Sequence, residues 1–342
     1  MRDVGVGDRV DQYVVTDVVA RSGMASIFKA VDGESGGAVA LKVPHVQYEG
    51  DVVFFERFQR EEEIGKRVDH PHVVRGLAPR EKSRMYLAME WVEGRSLRAE
   101  LRSSGALAAE RALQIAGELC DALAYLHRNG IVHRDVKPEN VLLVGPGGAV
   151  KLLDFGIALL ESARRLTWAG LSGTIGTPDY MAPEQIRGRR GDARTDVYAV
   201  GTILYEMLTG RLPYDAPNAA ALLHAKTHGE PARPRAFVRD IPASLEAIVL
   251  RAIARDPRDR HGSAEELLRD LRDPFAAVPR TRASPGDSIP RPHRRWARRL
   301  LLASLVFAMG LVSRAWLDHE RSSAPARSAV AELRQAHGAG VP

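Results

Sequence analysis

The stretch His133-Arg134-Asp135-Val136-Lys137-Pro138-Glu139-Asn140 decides the fold of this 342-residue chain. It follows a long amphipathic segment, residues 108–128, which predicts a helix that ends at Asn129-Gly130. Four further stretches surround it in a fixed order: Val39-Ala40-Leu41-Lys42, Glu61, Asp154-Phe155-Gly156 and Ala182-Pro183-Glu184. Each of them alone carries little information, whereas the ordered set is highly specific.

The sequence patterns before and after about Leu97 differ. Before it, glycine-rich turns separate short β-type runs at 14–15, 26–31, 38–43 and 86–90, with one helical segment at 53–68. From there to about Leu271 the pattern is mostly helical, with helices predicted at 108–128, 195–209, 244–254 and after Ser263. Ser263 and Glu266 have the spacing of a capping box. A small strand-rich lobe followed by a larger helical lobe indicates an α+β, bilobal fold.

Composition and charge exclude several classes of protein. Apolar residues make up 45% of the chain and charged residues 27%, which is typical of a globular protein. The single cysteine, Cys120, excludes a disulfide framework and favours a reducing compartment, and buried packing is its simplest role. The polar residues 1–11 predict no signal peptide. From Pro274 onward the chain has 11 Arg and 4 acidic residues, so the net charge of +6 comes entirely from the tail. A globally basic nucleic-acid-binding protein is therefore not expected.

The five ordered stretches resemble the signature of the protein kinases, and the resemblance covers roughly Gln12 to Leu271. The match is to the bacterial Hanks-type, or eukaryotic-like, Ser/Thr protein kinases. It implies a bilobal protein kinase fold, with a small β-rich N-lobe at about 12–94 and a larger α-helical C-lobe at about 95–272. It further implies transfer of the γ-phosphoryl group of ATP to Ser or Thr hydroxyls of protein substrates, with Mg²⁺ (or Mn²⁺) as cofactor.

The resemblance assigns catalytic roles to four residues. Lys42 contacts the α- and β-phosphates, and Glu61 pairs with Lys42 to hold it in place. Asp135 orients the substrate hydroxyl and accepts its proton, whereas Lys137 steadies the γ-phosphate and favours Ser/Thr over Tyr substrates. A solvated surface lysine is the plain alternative for Lys42, although its apolar neighbours argue against that.

The choice of Glu61 rests on its spacing from His70-Pro71. In the family this glutamate lies nine residues before the His-Pro that ends the helix, and that distance selects Glu61 over Glu62 and Glu63. The plain alternative is that all three form one solvated helix face.

The same resemblance locates the nucleotide and the metal. Asn140 and Asp154 are assigned as oxygen ligands of Mg²⁺, a hard cation that prefers such ligands. Met89 takes the gatekeeper position, which is compatible with core packing, and the backbone of Glu90 and Val92 is expected to bind the purine edge. The full set of nucleotide contacts is Ala20, Arg21, Ser22, Gly23, Met24, Ala25, Ile27, Ala40, Lys42, Met89, Glu90, Val92, Asn140 and Asp154.

Other matching residues are expected to support the fold. Glu184 would be buried and paired with Arg260, and Asp196 would tie the loop of Asp135 to the large lobe. His133 and Phe155 would pack in the spine that links the lobes. Arg134 would pair with a phosphorylated activation loop.

Two positions depart from the family. The three motif glycines of the glycine-rich loop fall at Ala20, Ser22 and Ala25, and only Gly23 remains. Glycines there allow close approach to phosphates and positive φ angles, so weakened ATP binding is expected. Ser22 could instead direct a hydroxyl toward the phosphates.

The second departure is Gly65, where the family places a large apolar residue of the core spine. Ile64 could fill the gap, or else the helix of Glu61 is loosely docked.

These departures define an alternative function, a pseudokinase or ATP-binding scaffold of the same fold. The complete ionic set, Lys42, Glu61, Asp135, Asn140 and Asp154, argues for an enzyme, because decayed kinases tend to lose at least one of these residues. A structural or nucleic-acid-binding protein directed by the basic tail is a third class, and the neutral body and the lack of interleaved aromatic residues argue against it.

The segment 157–181 is expected to be the activation loop. Ser172 and Thr174, then Thr167, are the expected sites of autophosphorylation, which a homodimer could carry out. A phosphate there would pair with Arg134. Ser162 is a further hydroxyl of the segment, and Thr177 is expected to shape the substrate site near Asp135.

The tail predicts a membrane anchor. Leu300 to Val312 is an uncharged apolar run of 13 residues, and extension to Leu317 gives 18 residues with one charge, Arg314. A spanning helix normally has about 20 residues. Trp296 and Trp316 bracket the run, and arginines precede it, so a single span would leave the kinase domain in the cytoplasm.

Two alternatives to a span remain open, a helix on the surface of anionic lipid and a helix that binds a partner's groove. Apolar residues surround the run, which disfavours a surface helix. The predicted organisation is therefore a kinase domain at 12–272, a Pro/Arg-rich linker at 273–295, a transmembrane helix at 296–317 and a short tail at 318–342.

Overall fold

A computed structural model of the chain describes residues 2–48, 50–78, 82–154 and 178–274. Within these ranges the chain has the expected bilobal protein kinase fold, with a curled β-sheet in the small lobe and mostly helices in the large one. Phe155, the activation-loop hydroxyls Ser162, Thr167, Ser172, Thr174 and Thr177, and almost the whole predicted linker, transmembrane helix and tail lie outside the described residues.

The small lobe is built on one sheet of six strands in the order β1-β2-β3-β4-β6-β5, in which all neighbours are antiparallel. Its strands are β1 (Arg9–Val10), β2 (Tyr13–Arg21), β3 (Ala25–Asp32), β4 (Ala38–Pro44), β5 (Gly76–Leu77) and β6 (Leu87–Glu90). In β4 the alternation of a strand buries Val39, Leu41 and Val43 in the core of the lobe, so Ala40 and Lys42 lie on the opposite face.

Helix α1 (Val52–Arg67) packs on this sheet and carries Glu61. It begins at Asp51, whose carboxylate accepts hydrogen bonds from the amides of Val53 and Phe54 at 2.9 and 3.1 Å. Near its end, Gly65 lies directly against Gly76 of β5. A Cβ atom at Gly76 would be only 2.6 Å from the carbonyl carbon of Gly65. The helix therefore docks on the sheet by contact between two backbones.

Ile64 does not fill the space that Gly65 leaves, as the sequence suggested it could. It packs against the core of the large lobe. A cavity of about 20 Å³, enough for about one water molecule, remains beside Gly65 between α1 and the strands β5 and β6.

The large lobe contains seven described helices and a small sheet. The helices are α2 (Leu97–Ser104), α3 (Ala109–Arg128), α4 (Pro183–Ile186), α5 (Ala193–Thr209), α6 (Ala219–His228), α7 (Ala243–Ala252) and α8 (Ala264–Arg272). The sheet has the order β7 (Gly94–Ser96), β8 (Val141–Val144) and β9 (Ala149–Leu152). From Thr195 to Thr209 every residue of α5 is buried, so this helix forms the centre of the lobe.

The ends of these helices follow the predicted signals, with one difference. Gly210 ends α5 in the left-handed conformation at φ 67°. Ser263 caps α8 by accepting a hydrogen bond from the Glu266 amide at 3.2 Å. The Glu266 carboxylate, however, accepts from the amide of Gly262 at 2.6 Å, so only half of the predicted capping box forms.

None of the helices in the described ranges has the length and apolar character needed to cross a membrane.

The predicted pair of Glu184 and Arg260 is confirmed. Both guanidinium NH groups of Arg260 donate to the two carboxylate oxygens of Glu184 at 2.8 Å. Thr195 also donates to Glu184 at 2.9 Å, and the guanidinium lies over the ring of Tyr198. Burial opposes the charge on Glu184, but the hydrogen bonds and charge of Arg260 hold the pKa of its carboxyl below the usual range.

We expect Arg260→Ala to lower the free energy of unfolding by about 3–5 kcal/mol, because it leaves the Glu184 carboxylate buried without its partner. Urea denaturation followed by circular dichroism measures this. The matched control is Arg258→Ala, which removes an exposed arginine two residues away and should leave the unfolding midpoint almost unchanged. Equal effects of the two substitutions would contradict the assignment.

We also expect Gly76→Ala to destabilise the small lobe by about 1–3 kcal/mol, because the added methyl group forces the backbones of α1 and β5 apart. Thermal unfolding measures the change. Gly147→Ala is the control, since a Cβ atom there meets no heavy atom within 4 Å. A Gly76→Ala protein as stable as the control would mean that α1 does not depend on this contact.

Candidate active site

The strand β4, the helix α1 and the segment after β9 each contribute one charged side chain to a buried cluster. The ammonium group of Lys42 lies 2.8 Å from Oε1 of Glu61 and 3.0 Å from Oδ1 of Asp154. Glu61 is the most buried member, with a side chain 5% exposed. The ammonium group of Lys42 thus joins two carboxylates whose residues lie 19 and 112 positions further along the sequence.

The structure separates Glu61 from its acidic neighbours. Glu62 instead forms ion pairs with Lys66 and Lys82, both at 2.6 Å. Glu63 is exposed. The predicted choice among the three adjacent glutamates therefore agrees with the contacts of each one.

Burial and mutual charge shift the pKa values of this cluster in opposite directions. Burial raises the pKa of Glu61 to about 6, although the charge of Lys42 opposes the shift. For Asp154 burial acts in the same upward direction, but the charge of Lys42 prevails and lowers its pKa. The two carboxylates overcome the burial of Lys42 and raise its pKa. The cluster thus has an excess of negative charge near neutral pH.

The loop before β8 gathers the second set of polar side chains. Oδ2 of Asp135 accepts hydrogen bonds from Nζ of Lys137 at 2.7 Å and from Nδ2 of Asn140 at 3.1 Å. The Asn140 amide also donates to the backbone carbonyl of Asp135 at 2.8 Å. These bonds fix the carboxylate of Asp135 while its side chain remains partly exposed.

Asp196, fully buried in α5, holds this loop as predicted. Its two carboxylate oxygens accept hydrogen bonds from the backbone amides of His133 at 2.9 Å and Arg134 at 2.7 Å. His127 makes a third contact to the same carboxylate at 2.8 Å. Arg134 has a positive φ of 66°, a strained conformation that these bonds maintain.

The two sets of side chains meet through Leu153. Its amide donates to the carbonyl oxygen of Asn140 at 2.8 Å, and its own carbonyl contacts Nε2 of His133 at 3.0 Å. Asp154 therefore follows directly after a residue that is bonded to Asn140.

The side chains of Asp154 and Asn140 supply a carboxylate and an amide, which are hard oxygen donors. Two protein ligands suit Mg²⁺, which keeps water and phosphate oxygens as its other ligands. The residues present fit that metal.

The hairpin between β2 and β3 explains how the missing glycines are accommodated. The non-glycine residues with positive φ in the described ranges are Asp11, Arg134 and Asp154, so Ala20, Ser22 and Ala25 adopt conformations open to any residue. The Ser22 hydroxyl donates to the carbonyl of Ala25 at 2.9 Å and accepts from its amide at 3.1 Å. Ser22 therefore closes the turn itself, contrary to the suggestion that it points toward phosphates.

Two of the other predicted nucleotide contacts are neighbours in the sheet of the small lobe. Ala40 is paired with Met89 across β4 and β6. The amide of Glu90 already donates to the carbonyl of Arg75 at 3.0 Å, and its carboxylate binds Lys151 at 2.7 Å. Because this amide is already bonded, the carbonyl is the backbone group of Glu90 that is suited to bind the edge of a purine.

Several residues near the loop of Asp135 were not found from the sequence. Gln185 donates to the carbonyl of Arg134 at 2.9 Å. Arg98 of α2 binds Glu139 at 2.9 Å, Glu206 at 2.8 Å and the hydroxyl of Tyr180. Lys226 of α6 is fully buried. Gln185 directly follows Glu184, which could have drawn attention to it, whereas Arg98 and Lys226 show no signal in the sequence.

Comparisons with known proteins agree with this geometry. The family model described as "Protein kinase domain" matches residues 13–271. The serine/threonine-protein kinase PrkC of Bacillus subtilis is 34% identical, over 80% of this chain and 42% of its own length. The serine/threonine-protein kinase PknB of Mycobacterium tuberculosis is 35% identical, over 76% of this chain and 42% of its own. The chain thus spans about two fifths of the length of these relatives.

Solved structures show the same fold. The kinase domain of PknI from Mycobacterium tuberculosis is 29% identical with a TM-score of 0.62, over 80% of this chain and all of that one. Rad53 residues 1–466 in complex with AMP-PNP are 27% identical with a TM-score of 0.62, over 75% of this chain and 64% of that one. The chain belongs to the protein kinase family, and within it to the bacterial Hanks-type serine/threonine protein kinases.

Proposed function

We propose that this chain transfers the γ-phosphoryl group of ATP to Ser and Thr hydroxyls of proteins in bacterial signalling. The observation that carries the proposal is the cluster of Lys42, Glu61 and Asp154, which is assembled from three distant segments next to Asp135 and Asn140. The names of its relatives, serine/threonine-protein kinases, support the same activity.

The proposed nucleotide site is the cleft under the hairpin between β2 and β3. Lys42, held by Glu61, would bind the α- and β-phosphates. The Glu90 carbonyl and the Val92 amide would bind the purine edge beside Met89 and Ala40. The hairpin residues Ala20, Arg21, Ser22, Gly23, Met24, Ala25 and Ile27 would cover the phosphates. In this arrangement the backbone of the hairpin, rather than the Ser22 hydroxyl, approaches the nucleotide.

Asp135 is the proposed catalytic carboxylate. Its bonds to Lys137 and Asn140 hold it in one orientation, from which it would accept the proton of the attacking hydroxyl. Lys137 would then contact the γ-phosphate. Mg²⁺, or Mn²⁺, held by Asn140 and Asp154 would supply neutralisation of phosphate charge. The negative excess of the cluster, described above, favours a divalent cation there.

Regulation by autophosphorylation is part of the proposal. Ser172, Thr174 or Thr167 would receive the γ-phosphoryl group of an ATP bound to a second copy of the chain in a transient homodimer, with release of ADP. Arg134 is the proposed partner of that phosphate, since its guanidinium lies near two further arginines, Arg60 and Arg190, whose charges act with burial to lower its pKa.

We expect Asp135→Asn to abolish phosphoryl transfer, with a loss of at least 10³-fold, while binding of a non-hydrolysable ATP analogue is retained. Lys42→Met should weaken both. The assay uses radiolabelled ATP with Mg²⁺, and mass spectrometry then maps the phosphorylated residues. Asp121→Asn, a substitution of a half-buried residue on α3 that pairs with His70, is the control and should remain active. Phosphorylation of an Asp135→Asn chain by the active chain would demonstrate reaction between two copies.

The outcome also separates the alternative function. A wild-type chain that binds the analogue but forms no phosphoprotein with Mg²⁺ or Mn²⁺ would be a pseudokinase. A chain that is active while its activation segment stays unmodified would contradict the proposed regulation alone.

We further propose that residues 296–317 anchor the kinase domain to the cytoplasmic side of a membrane. The sequence supports this with the apolar run at 300–312, the flanking Trp296 and Trp316, and the arginines before it.

We expect the full chain to remain with membranes after washes with high salt and carbonate, and to require detergent for release, because a spanning helix is held by apolar burial. A chain that ends at Asp273 is the control and should be recovered in the soluble fraction. Release of the full chain by salt or carbonate alone would contradict the anchor and favour a surface-bound helix.

A further inference from the structure

Lys226 is a fully buried lysine whose role the catalytic chemistry does not explain. Its ammonium group donates to the carbonyl oxygen of Pro178 at 3.0 Å and to that of Asp179. It also lies 5.2 Å from the centre of the Tyr198 ring. Within the described residues it forms no salt bridge. A buried charge without an ion pair is costly, so its contacts to one short turn, Pro178–Tyr180, call for an explanation.

That turn is joined to the loop that carries Asp135. The hydroxyl of Tyr180 binds Glu206, and Arg98 links Glu206 to Glu139 of the loop. The turn also leads into α4, where Gln185 donates to the carbonyl of Arg134. The backbone held by Lys226 is therefore part of the surface beside the proposed catalytic carboxylate.

We propose that Lys226 is a positioning residue for the protein substrate, and that its protonation state sets how firmly the Pro178–Tyr180 turn is held. The proposal rests on the proposed kinase function. A charged ammonium group makes stronger hydrogen bonds to the two carbonyls than a neutral amine, and only the charged form makes a cation–π interaction with the Tyr198 ring. The turn should thus be held more firmly when Lys226 is protonated.

The surroundings allow this change near neutral pH. Burial lowers the pKa of Lys226 to about 7, and the charge of Asp179 only partly opposes it. Among the described residues, Glu206, Arg98 and Glu139 also act on Asp179. On the other side of the site are the Tyr198 ring and the groups around it, Arg260, Tyr214 and Glu184. In the folded protein Lys226 loses its proton near pH 7, whereas in the unfolded chain it stays protonated to about pH 10.

The first test compares the kinetics of the wild-type chain with Lys226→Met and Lys226→Gln across pH 6 to 9. For the wild type, kcat/KM toward a protein substrate should fall as the pH rises through about 7. Both variants should lack this step, and Lys226→Met should raise the KM for the protein by about tenfold with the KM for ATP unchanged. Lys66→Met, an exposed lysine on α1, should keep the wild-type profile.

The second test needs no activity. Because the unfolded chain binds the proton more tightly above pH 7, the stability of the wild type relative to Lys226→Met should rise as the pH increases from 7 to 9. Lys226→Gln, which keeps two N–H donors, replaces the methionine variant if that one fails to fold.

An identical protein KM and pH profile in the wild type and both variants overturns the inference. A stability difference that is independent of pH overturns the titration of Lys226. Absence of phosphotransfer by the wild type would instead overturn the proposed function, and the stability measurement would still decide whether Lys226 titrates.

Discussion

The geometry of the site depends on one interaction, the contact of the Lys42 ammonium group with the carboxylates of Glu61 and Asp154. The three side chains come from β4, α1 and the segment after β9, so the same ammonium group sets the position of the helix against the sheet and of both against the large lobe. Buried charges are tolerated only where they are paired, and removal of one partner leaves another uncompensated. The position of α1 is therefore linked to the charge balance of the cleft.

The docking of α1 shows why the departures of this chain from its family need not disrupt the site. A large apolar side chain at position 65 would normally fill the space between helix and sheet. Here Gly65 and Gly76 bring the two backbones into contact instead, and a cavity of about 20 Å³ remains. The hairpin between β2 and β3 also forms without the family's glycines, since Ser22 closes its turn and none of the replaced positions has a positive φ. Both substitutions change local contacts but leave Glu61 within 2.8 Å of Lys42.

What the sequence could predict follows from how local each signal is. The four predicted strands of the small lobe, the long helices and the loop of Asp135 are encoded by periodicity and by contiguous motifs, and they form where expected. The short strands β1, β5, β7, β8 and β9 were not predicted. Glu61 was found because its distance to His70-Pro71 is a local measure. Lys226 and Pro178 are 48 positions apart in the sequence, and no pattern connects them. Gly65 and Gly76 are close in sequence, but no motif marks the contact between their backbones. The Glu266 carboxylate illustrates a subtler limit, since spacing alone does not decide whether it accepts a hydrogen bond from the amide of Ser263 or from that of Gly262.

The turn at Pro178–Tyr180 combines these observations. Only Met181 separates it from Ala182-Pro183-Glu184, the motif that the buried Arg260 fixes at one side. Arg98 and Lys226, from α2 and α6, hold its other contacts, the Tyr180 hydroxyl and the carbonyls of Pro178 and Asp179. Three cations that are distant in sequence thus contact the short stretch from Pro178 to Glu184. Arginines remain charged at any physiological pH, whereas a buried lysine does not. Among the three, Lys226 is therefore the one through which pH can alter the segment without disturbing the ion pairs that hold the fold.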